Sequence, residues 1–296
     1  MTRVPLIFGT MTLGEAGRNG VRESDLPRCQ EILDVYFQHG NELDTARQYA
    51  EGTTEQYLAQ LDRKDAFVDT KVYPTNAGDH APEAFRSTFF KCLEALNVKK
   101  VRTLYLHAPD RSVPFLDTLT EADALHREGY FEQLGLSNFA AWEVAEIVTA
   151  ARERGLLQPK IYQAMYNALT RAIETELVPA LRKYDMRLVV YNPLAGGLLA
   201  GKLPGKESGK GSRFEGDSKL AAMYRERYVK NLFVEAVEGL LPIAEKHNVS
   251  LAEVALRWMQ HHSALTPSDG VILGASSAAQ LKGNCTASCM HAAQAV

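Results

Sequence analysis

The sequence predicts an α/β fold, a (β/α)8 TIM barrel, and three observations carry that prediction. The chain has 296 residues, and a barrel of this kind typically needs about 250. Short β-rich runs alternate with amphipathic stretches, a pattern typical of βα units around a parallel sheet. Several runs are almost continuously apolar, such as Leu188 to Tyr191, as expected of parallel strands that are covered on both faces.

Eight strands can be assigned in order along the chain. They are predicted at residues 4–10, 41–45, 66–72, 103–107, 133–137, 161–165, 187–191 and 270–274. Helices are predicted near residues 25–39, 53–61, 82–96, 114–128, 140–154, 172–184, 228–246 and 250–261. Pro82 sits where a first-turn proline is tolerated, and Ser250 is a candidate N-cap with Glu253 at the reciprocal position. Eight strands separated by helices favour a closed barrel over an open sheet.

One segment breaks this regularity. Residues 195–218 are rich in glycine and form a long predicted insertion after the seventh strand. Long loops on a barrel are usually functional or disordered. The sequence contains no evident linker, internal repeat or second domain, so we expect residues 1–296 to form a single domain.

Composition and charge exclude several classes of protein. The net charge of -3 gives no electrostatic argument for nucleic acid or an anionic membrane as a partner. No apolar run approaches the roughly 18 residues of a membrane helix, and the first residues enter a strand directly, without the apolar region of a signal peptide. We therefore expect a cytoplasmic protein that binds neither nucleic acid nor membrane.

The four cysteines do not predict a disulfide framework. They are too few and too irregularly spaced for one in a chain of this size. Cys285, Cys289 and His291 could be part of a metal site or of a loosely structured tail. A four-ligand zinc site needs more than these three residues, so no metal site is expected.

Two nucleotide-binding motifs can be tested against the sequence. No Gly-x-Gly-x-x-Gly follows a strand, so a Rossmann site has no support. Gly196 to Lys202 fits the first seven positions of a P-loop, but Leu203 stands where a hydroxyl should hold magnesium, and Pro204 follows. The same glycines would let backbone N–H groups approach a pyrophosphate, with Lys202 and Arg213 adding positive charge. A merely flexible loop is the alternative.

Four polar residues stand at or near the ends of successive early strands. They are Asp44, Tyr49, Lys71 and His107. Taken singly, each has an ordinary structural explanation, such as a turn cap or a solvated side chain. In a barrel, however, the carboxyl ends of the strands meet at one mouth, where active sites are built. An acid, a phenol, an amine and an imidazole gathered there favour proton-transfer chemistry.

At this point the sequence resembles the aldo-keto reductase superfamily, and within it the aflatoxin-aldehyde reductase branch. The resemblance covers about residues 4–284. Besides the four residues, it includes the segments 134–144, 162–167, 191–202, 223–228 and 271–277. It implies a (β/α)8 barrel and NADPH-dependent reduction of aldehydes and some ketones to alcohols.

The resemblance also implies roles for individual residues. Tyr49 would be the general acid, Lys71 and Asp44 its support, and His107 the group that orients the substrate carbonyl. The implied cofactor-binding residues are Ser137, Asn138 and Gln163 at the nicotinamide carboxamide, Asn192 through Lys202 (including Leu194 and Gly196) at the pyrophosphate, and Arg213, Ser276, Ser277, Gln280 and Asn284 at the adenosine end. Tyr224 and Arg227 would line the substrate pocket.

The chemistry of these residues agrees with the implied roles. Hydride addition to a carbonyl builds negative charge on its oxygen, and Tyr49 can donate a proton there. A free phenol has a pKa of about 10, which a neighbouring Lys71 ammonium is expected to lower. His107, if neutral, can donate a hydrogen bond to the same oxygen. Arg227 could bind a substrate carboxylate, or could pair with Glu226 or Glu235 instead.

The C-terminal region departs from the family pattern. After Asn284 the chain runs for 12 residues, whereas relatives usually continue with further helix that helps form the substrate pocket. We expect residues 285–296 to form a mobile or atypical tail and the pocket to be more open.

Two other functions stay open from the sequence. One is a regulatory subunit that binds the cofactor on the same barrel, and the other is an aryl-alcohol dehydrogenase that works oxidatively. The natural substrate is not readable from the sequence, and a homodimer is left open.

Overall fold

The computed structural model describes residues 2–209 and 211–290. Eight parallel strands close into a barrel, each pairing with its neighbours in chain order and the last with the first. The strands are β1 (Leu6–Gly9), β2 (Glu42–Asp44), β3 (Phe67–Val72), β4 (Val101–Leu106), β5 (Phe131–Ser137), β6 (Ile161–Met165), β7 (Arg187–Tyr191) and β8 (Gly270–Leu273). The predicted TIM barrel is confirmed.

Helices connect the strands on the outside of the barrel. They are α1 (Leu26–Tyr36), α2 (Thr53–Gln60), α3 (Pro82–Leu96), α4 (Phe115–Arg127), α5 (Ala141–Glu153), α6 (Leu177–Lys183), α7 (Lys219–Tyr228), α8 (Asn231–Lys246), α9 (Leu251–His261) and α10 (Ala278–Cys289). Pro82 opens α3 and the Ser250 side chain caps α9, as predicted. None of the helices in the described parts of the chain could span a membrane.

The structure contains two helices, α7 and α10, that are not among the eight predicted from the sequence. Helix α7 begins directly after the glycine-rich segment, where the Ser218 hydroxyl accepts a hydrogen bond from the Ala221 backbone at 3.1 Å. Only Ala221, Tyr224 and Tyr228 are buried on this helix. Such a narrow apolar face gives a weak periodic signal in the sequence, which explains why the prediction missed it.

Apolar side chains fill the centre of the barrel. The inner core consists of Ile7, Tyr105, Ile161, Val189 and Ile272, all nearly inaccessible to solvent. A Cβ on Gly135 would lie 2.3 Å from the Tyr105 ring, so this ring occupies the space that a side chain at 135 would need. Side chains therefore fill the interior of the barrel, and no open channel runs through this packed layer.

Charged side chains form the layer below this core. Arg102 donates to the Glu42 carboxylate at 2.7 Å and is also paired with Asp69. Arg187 donates to the same Glu42 oxygen at 2.9 Å and to the second Glu42 oxygen at 3.1 Å. Because a buried charge without its partner is strongly destabilising, this network ties β2 to the starts of β4 and β7.

The C-terminal helix differs from the sequence-based expectation. Residues 285–289 continue α10 in regular helix, with Cys285 and Ser288 buried. Leu281, Cys285 and Ser288 recur at helical spacing and form a narrow inward stripe, and α10 contacts both α1 and α9. A buried cysteine behaves as a small hydrophobic residue, so Cys285 adds to the apolar contacts of this helix. Residues 291–296 lie outside the described residues, and the mobility of the tail stays a prediction.

The docking of α10 can be tested by core truncation. Leu281→Ala removes a fully buried side chain and should lower the free energy of unfolding by about 2–5 kcal/mol. Lys282→Ala, at an exposed position of the same helix, should change it by less than about 0.5 kcal/mol. Urea unfolding followed by circular dichroism measures both. Equal midpoints for the two variants would show that α10 is not docked as described.

Candidate active site

The four residues singled out in the sequence come together at the mouth of the barrel. Asp44 ends β2, Lys71 lies near the end of β3, and His107 directly follows β4. Tyr49 opens a tight turn, Tyr49–Gly52, in the loop after β2. Because the strands are parallel and adjacent in register, their carboxyl ends bring these side chains to one place.

Lys71 is the centre of this arrangement. Its side chain is fully buried, and its ammonium donates to Asp44 Oδ2 at 2.8 Å, to the Thr45 carbonyl at 2.7 Å and to the Tyr49 hydroxyl oxygen at 3.2 Å. An ammonium has three N–H donors, so all three are used. Since Tyr49 accepts from Lys71, its own proton is left to point elsewhere.

Asp44 is held from two sides. Its second oxygen accepts a hydrogen bond from the Gln163 side chain at 2.7 Å. Burial raises the pKa of the Asp44 carboxyl and lowers the pKa of the Lys71 ammonium, and their mutual attraction opposes both shifts. The two groups therefore form a tightly coupled buried pair.

The pKa of Tyr49 corrects the sequence-based expectation. Burial raises it well above the ordinary value, and the nearby Asp44 charge raises it further. The expected lowering by Lys71 is absent because Asp44 offsets the lysine charge and because a buried phenolate loses its hydration. Tyr49 is therefore a protonated phenol at neutral pH, able to donate but not poised as a phenolate.

His107 is neutral at physiological pH. Burial lowers its pKa well below the ordinary value, and Lys71 and His80 lower it further. Its Nδ1 atom is buried without a hydrogen-bond partner. The ring lies edge-on to Tyr49, with centroids 6.0 Å apart, so an imidazole and a phenol border the same space.

A cavity of about 480 Å³ opens beside these side chains. The predicted site residues that line it are Asp44, Tyr49, His107, Asn138, Gln163, Asn192, Leu194, Gly196, Lys202, Arg213, Tyr224, Arg227, Ser276, Gln280 and Asn284. Lys71, Ser137 and Ser277 do not line it. Lys71 and Ser137 are buried behind the wall, and Ser277 caps α10 through a bond from the Gln280 backbone at 3.2 Å.

One end of the cavity carries amide groups. The Asn138 side-chain nitrogen donates to the His107 carbonyl at 2.8 Å and to Ser137 Oγ at 3.0 Å, and its oxygen accepts from the Tyr191 hydroxyl at 3.0 Å. Asn138 has a left-handed backbone, with φ of 63°. Its amide is thus fixed in orientation by three hydrogen bonds.

The glycine-rich loop forms another wall. Gly196 and Gly197 have left-handed φ values of 69° and 112°. A Cβ on Gly196 would lie 2.6 Å from the Tyr224 ring, so a side chain there would collide. Lys202 borders the same wall and is exposed. The loop presents backbone and one cation to the cavity.

A second cation and small polar groups also line the cavity. Arg213 donates to the Tyr224 hydroxyl and stacks over its ring at 5.2 Å. Ser276 is held by the Gln280 side chain, which accepts from its backbone N at 2.8 Å. The Asn284 amide nitrogen is buried without a partner. An unpaired donor in the cavity wall marks a place where a bound molecule could supply an acceptor.

Arg227 reaches the cavity from α7. Within the described residues it forms no ion pair with Glu226 or Glu235, the alternative raised by the sequence. Burial raises the pKa of Tyr191, and the positive charge of Arg227 partly offsets that shift.

Sequence reasoning missed several residues of the cavity wall. Arg22 donates to the Ser212 carbonyl at 3.2 Å and so joins the loop after β1 to the long insertion. Tyr73 lies edge-on to His107, with centroids 5.4 Å apart. Tyr191 could have been found, since it ends a predicted strand, but Arg22 and Tyr73 lie on loops whose convergence no local pattern indicates.

The described residues contain no cluster of three or more side chains suited to a metal ion. Cys285 is buried on α10, and burial raises the pKa of its thiol to about 12. His291, the third residue of the metal alternative, lies outside the described residues.

Comparisons with known proteins agree with this geometry. The sequence model of the Aldo/keto reductase family matches residues 5–292. The chain is 41% identical to aflatoxin B1 aldehyde reductase member 2 of Rattus norvegicus over 298 residues, covering 95% of this chain and 79% of that protein. It is 40% identical to aldo-keto reductase family 7 member A3 of Homo sapiens over 301 residues, covering 96% and 88% of the two chains.

A fungal relative is similarly distant. The aldo-keto reductase pigE of Monascus ruber is 36% identical over 300 residues, which cover 95% of this chain and 88% of that protein. A family match over nearly the whole length, on a closed barrel with a buried lysine beside a half-buried tyrosine at its mouth, leads to one conclusion: the chain belongs to the aldo/keto reductase family.

Proposed function

We propose that this protein is an NADPH-dependent oxidoreductase that reduces aldehydes, and some ketones, to alcohols. The observation that carries the proposal is the bonding of Lys71, whose three donors are all used and one of which ends on the Tyr49 oxygen. This leaves the Tyr49 proton available to the cavity. The relatives named as aldehyde reductases support the same reaction class.

Tyr49 and His107 would act on one substrate oxygen. Tyr49 stays protonated because burial raises its pKa, and it would donate its proton as negative charge develops on the carbonyl oxygen. A positioned acid contributes about 10²–10⁴-fold to the rate. Neutral His107 can donate one hydrogen bond to the same oxygen and so fix the angle of the carbonyl.

The cavity suits a nicotinamide dinucleotide. Asn138 and Gln163 would hold the carboxamide, with Ser137 supporting Asn138 from behind. Asn192, Leu194, Gly196 and Lys202 would hold the pyrophosphate. Arg213, Ser276, Gln280 and Asn284 would hold the adenosine end, while Ser277 would contribute through its cap of α10. When bound, NADPH supplies the hydride.

Two observations support this fit besides the family. The buried, unpartnered amide of Asn284 gains an acceptor when a polar ligand binds. The left-handed glycines at 196 and 197 carry no side chain that would keep phosphate oxygens away from the backbone of this loop.

The acid role of Tyr49 predicts a selective loss of turnover. Tyr49→Phe should bind NADPH normally and lower the single-turnover rate of aldehyde reduction by about 10²–10⁴-fold. Intrinsic-fluorescence quenching measures binding, and stopped-flow absorbance measures the rate. Tyr105→Phe is a matched control, because this ring lies near the same Lys71 but does not line the cavity. Near-normal reduction by Tyr49→Phe would refute the assignment.

The Arg213 assignment predicts cofactor preference. A charge-assisted contact to the 2′-phosphate is worth about 1.5–3 kcal/mol, so NADPH should bind at least about tenfold more tightly than NADH. Arg213→Ala should erode this ratio. Lys206→Ala, which removes one positive charge from the same loop outside the cavity, should leave it intact. Equal affinities of the unaltered protein for NADPH and NADH would remove the basis of the assignment.

The position of Arg227 predicts a preference for negatively charged substrates. Arg227 borders the cavity three residues after Tyr224 on α7 and can bind a carboxylate bidentately. Aldehydes with a distal carboxylate should have a higher kcat/KM than uncharged aldehydes of equal length. Arg227→Ala should abolish the difference, and Arg227→Lys should keep part of it. An unchanged kcat/KM ratio in Arg227→Ala would contradict this role.

A further inference from the structure

We propose that Glu55 and Arg47 are positioning residues, whose partly buried ion pair holds the turn that carries Tyr49 in the orientation needed for proton transfer. The inference rests on the proposed function, because it gives the pair a task in the same reaction. Neither side chain lines the cavity, so the pair acts through the turn and touches no substrate.

The turn after Tyr49 has an unusual backbone. Ala50, Glu51 and Gly52 follow one another with left-handed φ values of 47°, 57° and 95°. Left-handed φ is uncommon for residues with a side chain, and it persists only where the surroundings hold it in place. The position of the Tyr49 hydroxyl therefore depends on groups outside the turn.

Arg47 supplies contacts on both sides of this turn. Its guanidinium donates to the Gly52 carbonyl at 3.1 Å and to the Lys91 carbonyl on α3 at 3.4 Å. Its backbone N–H donates to the Lys71 carbonyl at 3.1 Å. A Cβ on Gly52 would lie 1.8 Å from the Arg47 guanidinium, so the guanidinium fills the space directly beside the turn.

Glu55 fixes the guanidinium to the barrel. Its side chain, on α2, is fully buried and accepts from the Arg47 guanidinium. Its other oxygen accepts from the Thr70 hydroxyl at 2.7 Å, and Thr70 is the neighbour of Lys71 in β3. One carboxylate thus joins the turn of Tyr49 to the strand of Lys71, the two residues whose hydrogen bond the proposed reaction needs.

Glu55 is also the group here that changes charge near neutrality. Burial raises its pKa to about 7, against the opposing effects of Arg47 and Thr70. The other titratable groups that face it are Cys92 on α3, a neutral thiol because burial raises its pKa, and Lys71, which is attracted to Glu55. Arg47 is always charged. Protonation of Glu55 therefore weakens the pair as pH falls.

The raised pKa of Glu55 also makes the stability of the fold depend on pH, in the opposite direction to the strength of the ion pair. A carboxyl whose folded pKa lies above its unfolded value of about 4.3 contributes stability that is full below that value and is lost as pH rises through about 7. Positioning by the ion pair is instead gained as pH rises through this range. A merely structural role would make activity follow stability, whereas a positioning role separates the two.

Single-turnover reduction of an aldehyde at saturating NADPH, between about pH 5.5 and 8.5, tests the inference. The unaltered protein should lose rate as pH falls, with a midpoint near 7. Glu55→Gln should reduce the rate at high pH by about tenfold to a hundredfold, as expected of a misplaced catalytic group, and should lack the step near pH 7. Its Kd for NADPH should stay within about twofold.

Two further variants separate positioning from folding. Asp269→Asn breaks a similarly buried pair with Arg182 just before β8, at the other end of the barrel. It should lower Tm and keep the rate and the pH step. Arg47→Met should reproduce Glu55→Gln, and the double variant should lose little more than either single one, because coupled residues are not additive.

The inference is overturned if Glu55→Gln keeps the normal rate and pH step, or if its losses of rate, Tm and NADPH affinity all run in parallel. A protein that reduces no aldehyde at all would instead refute the proposed function. Hydrogen exchange of residues 45–53 decides the inference in that case. Glu55→Gln should speed exchange in these residues after correction for intrinsic rates. If that variant does not fold, low pH should do the same in the unaltered protein. Unchanged protection would refute the inference.

Discussion

The buried ammonium of Lys71 is the constraint on which the rest of the site depends. A charged group without solvent needs every donor paired, and Asp44, Thr45 and Tyr49 supply three acceptors. These acceptors come from β2 and the loop after it, so satisfying one lysine fixes the geometry between two strand ends. The same bond that satisfies Lys71 leaves the Tyr49 proton facing the cavity, which links a folding requirement directly to the proposed chemistry.

The packed interior of the barrel and the charged layer below it hold that geometry in place. The charges of Glu42, Arg102 and Arg187 pair across strands that are not neighbours, while the Tyr105 ring fills the middle beside Gly135. A packed core resists small displacements. The strand ends above it therefore present their side chains at set distances.

Those loops complete the cavity by contacts across the sequence. Arg22 joins the loop after β1 to the long insertion at Ser212, and Arg213 reaches back to Tyr224 on α7. The cavity wall thus combines rigid strand ends with loops held by a few hydrogen bonds.

The sequence alone predicts the eight strands, most of the helices and the grouping of Asp44, Lys71 and His107, because alternating apolar periods and the geometry of parallel strands are local or follow from chain order. It did not determine the short helix α7, the ordered end of α10, the pKa of Tyr49 or the contacts of Arg47 and Glu55. Burial and hydration set a pKa, and burial is known only once distant segments have packed together. Glu55 illustrates this, since its sequence neighbours show an ordinary helix, while the tertiary structure alone brings its carboxylate to Arg47 and Thr70.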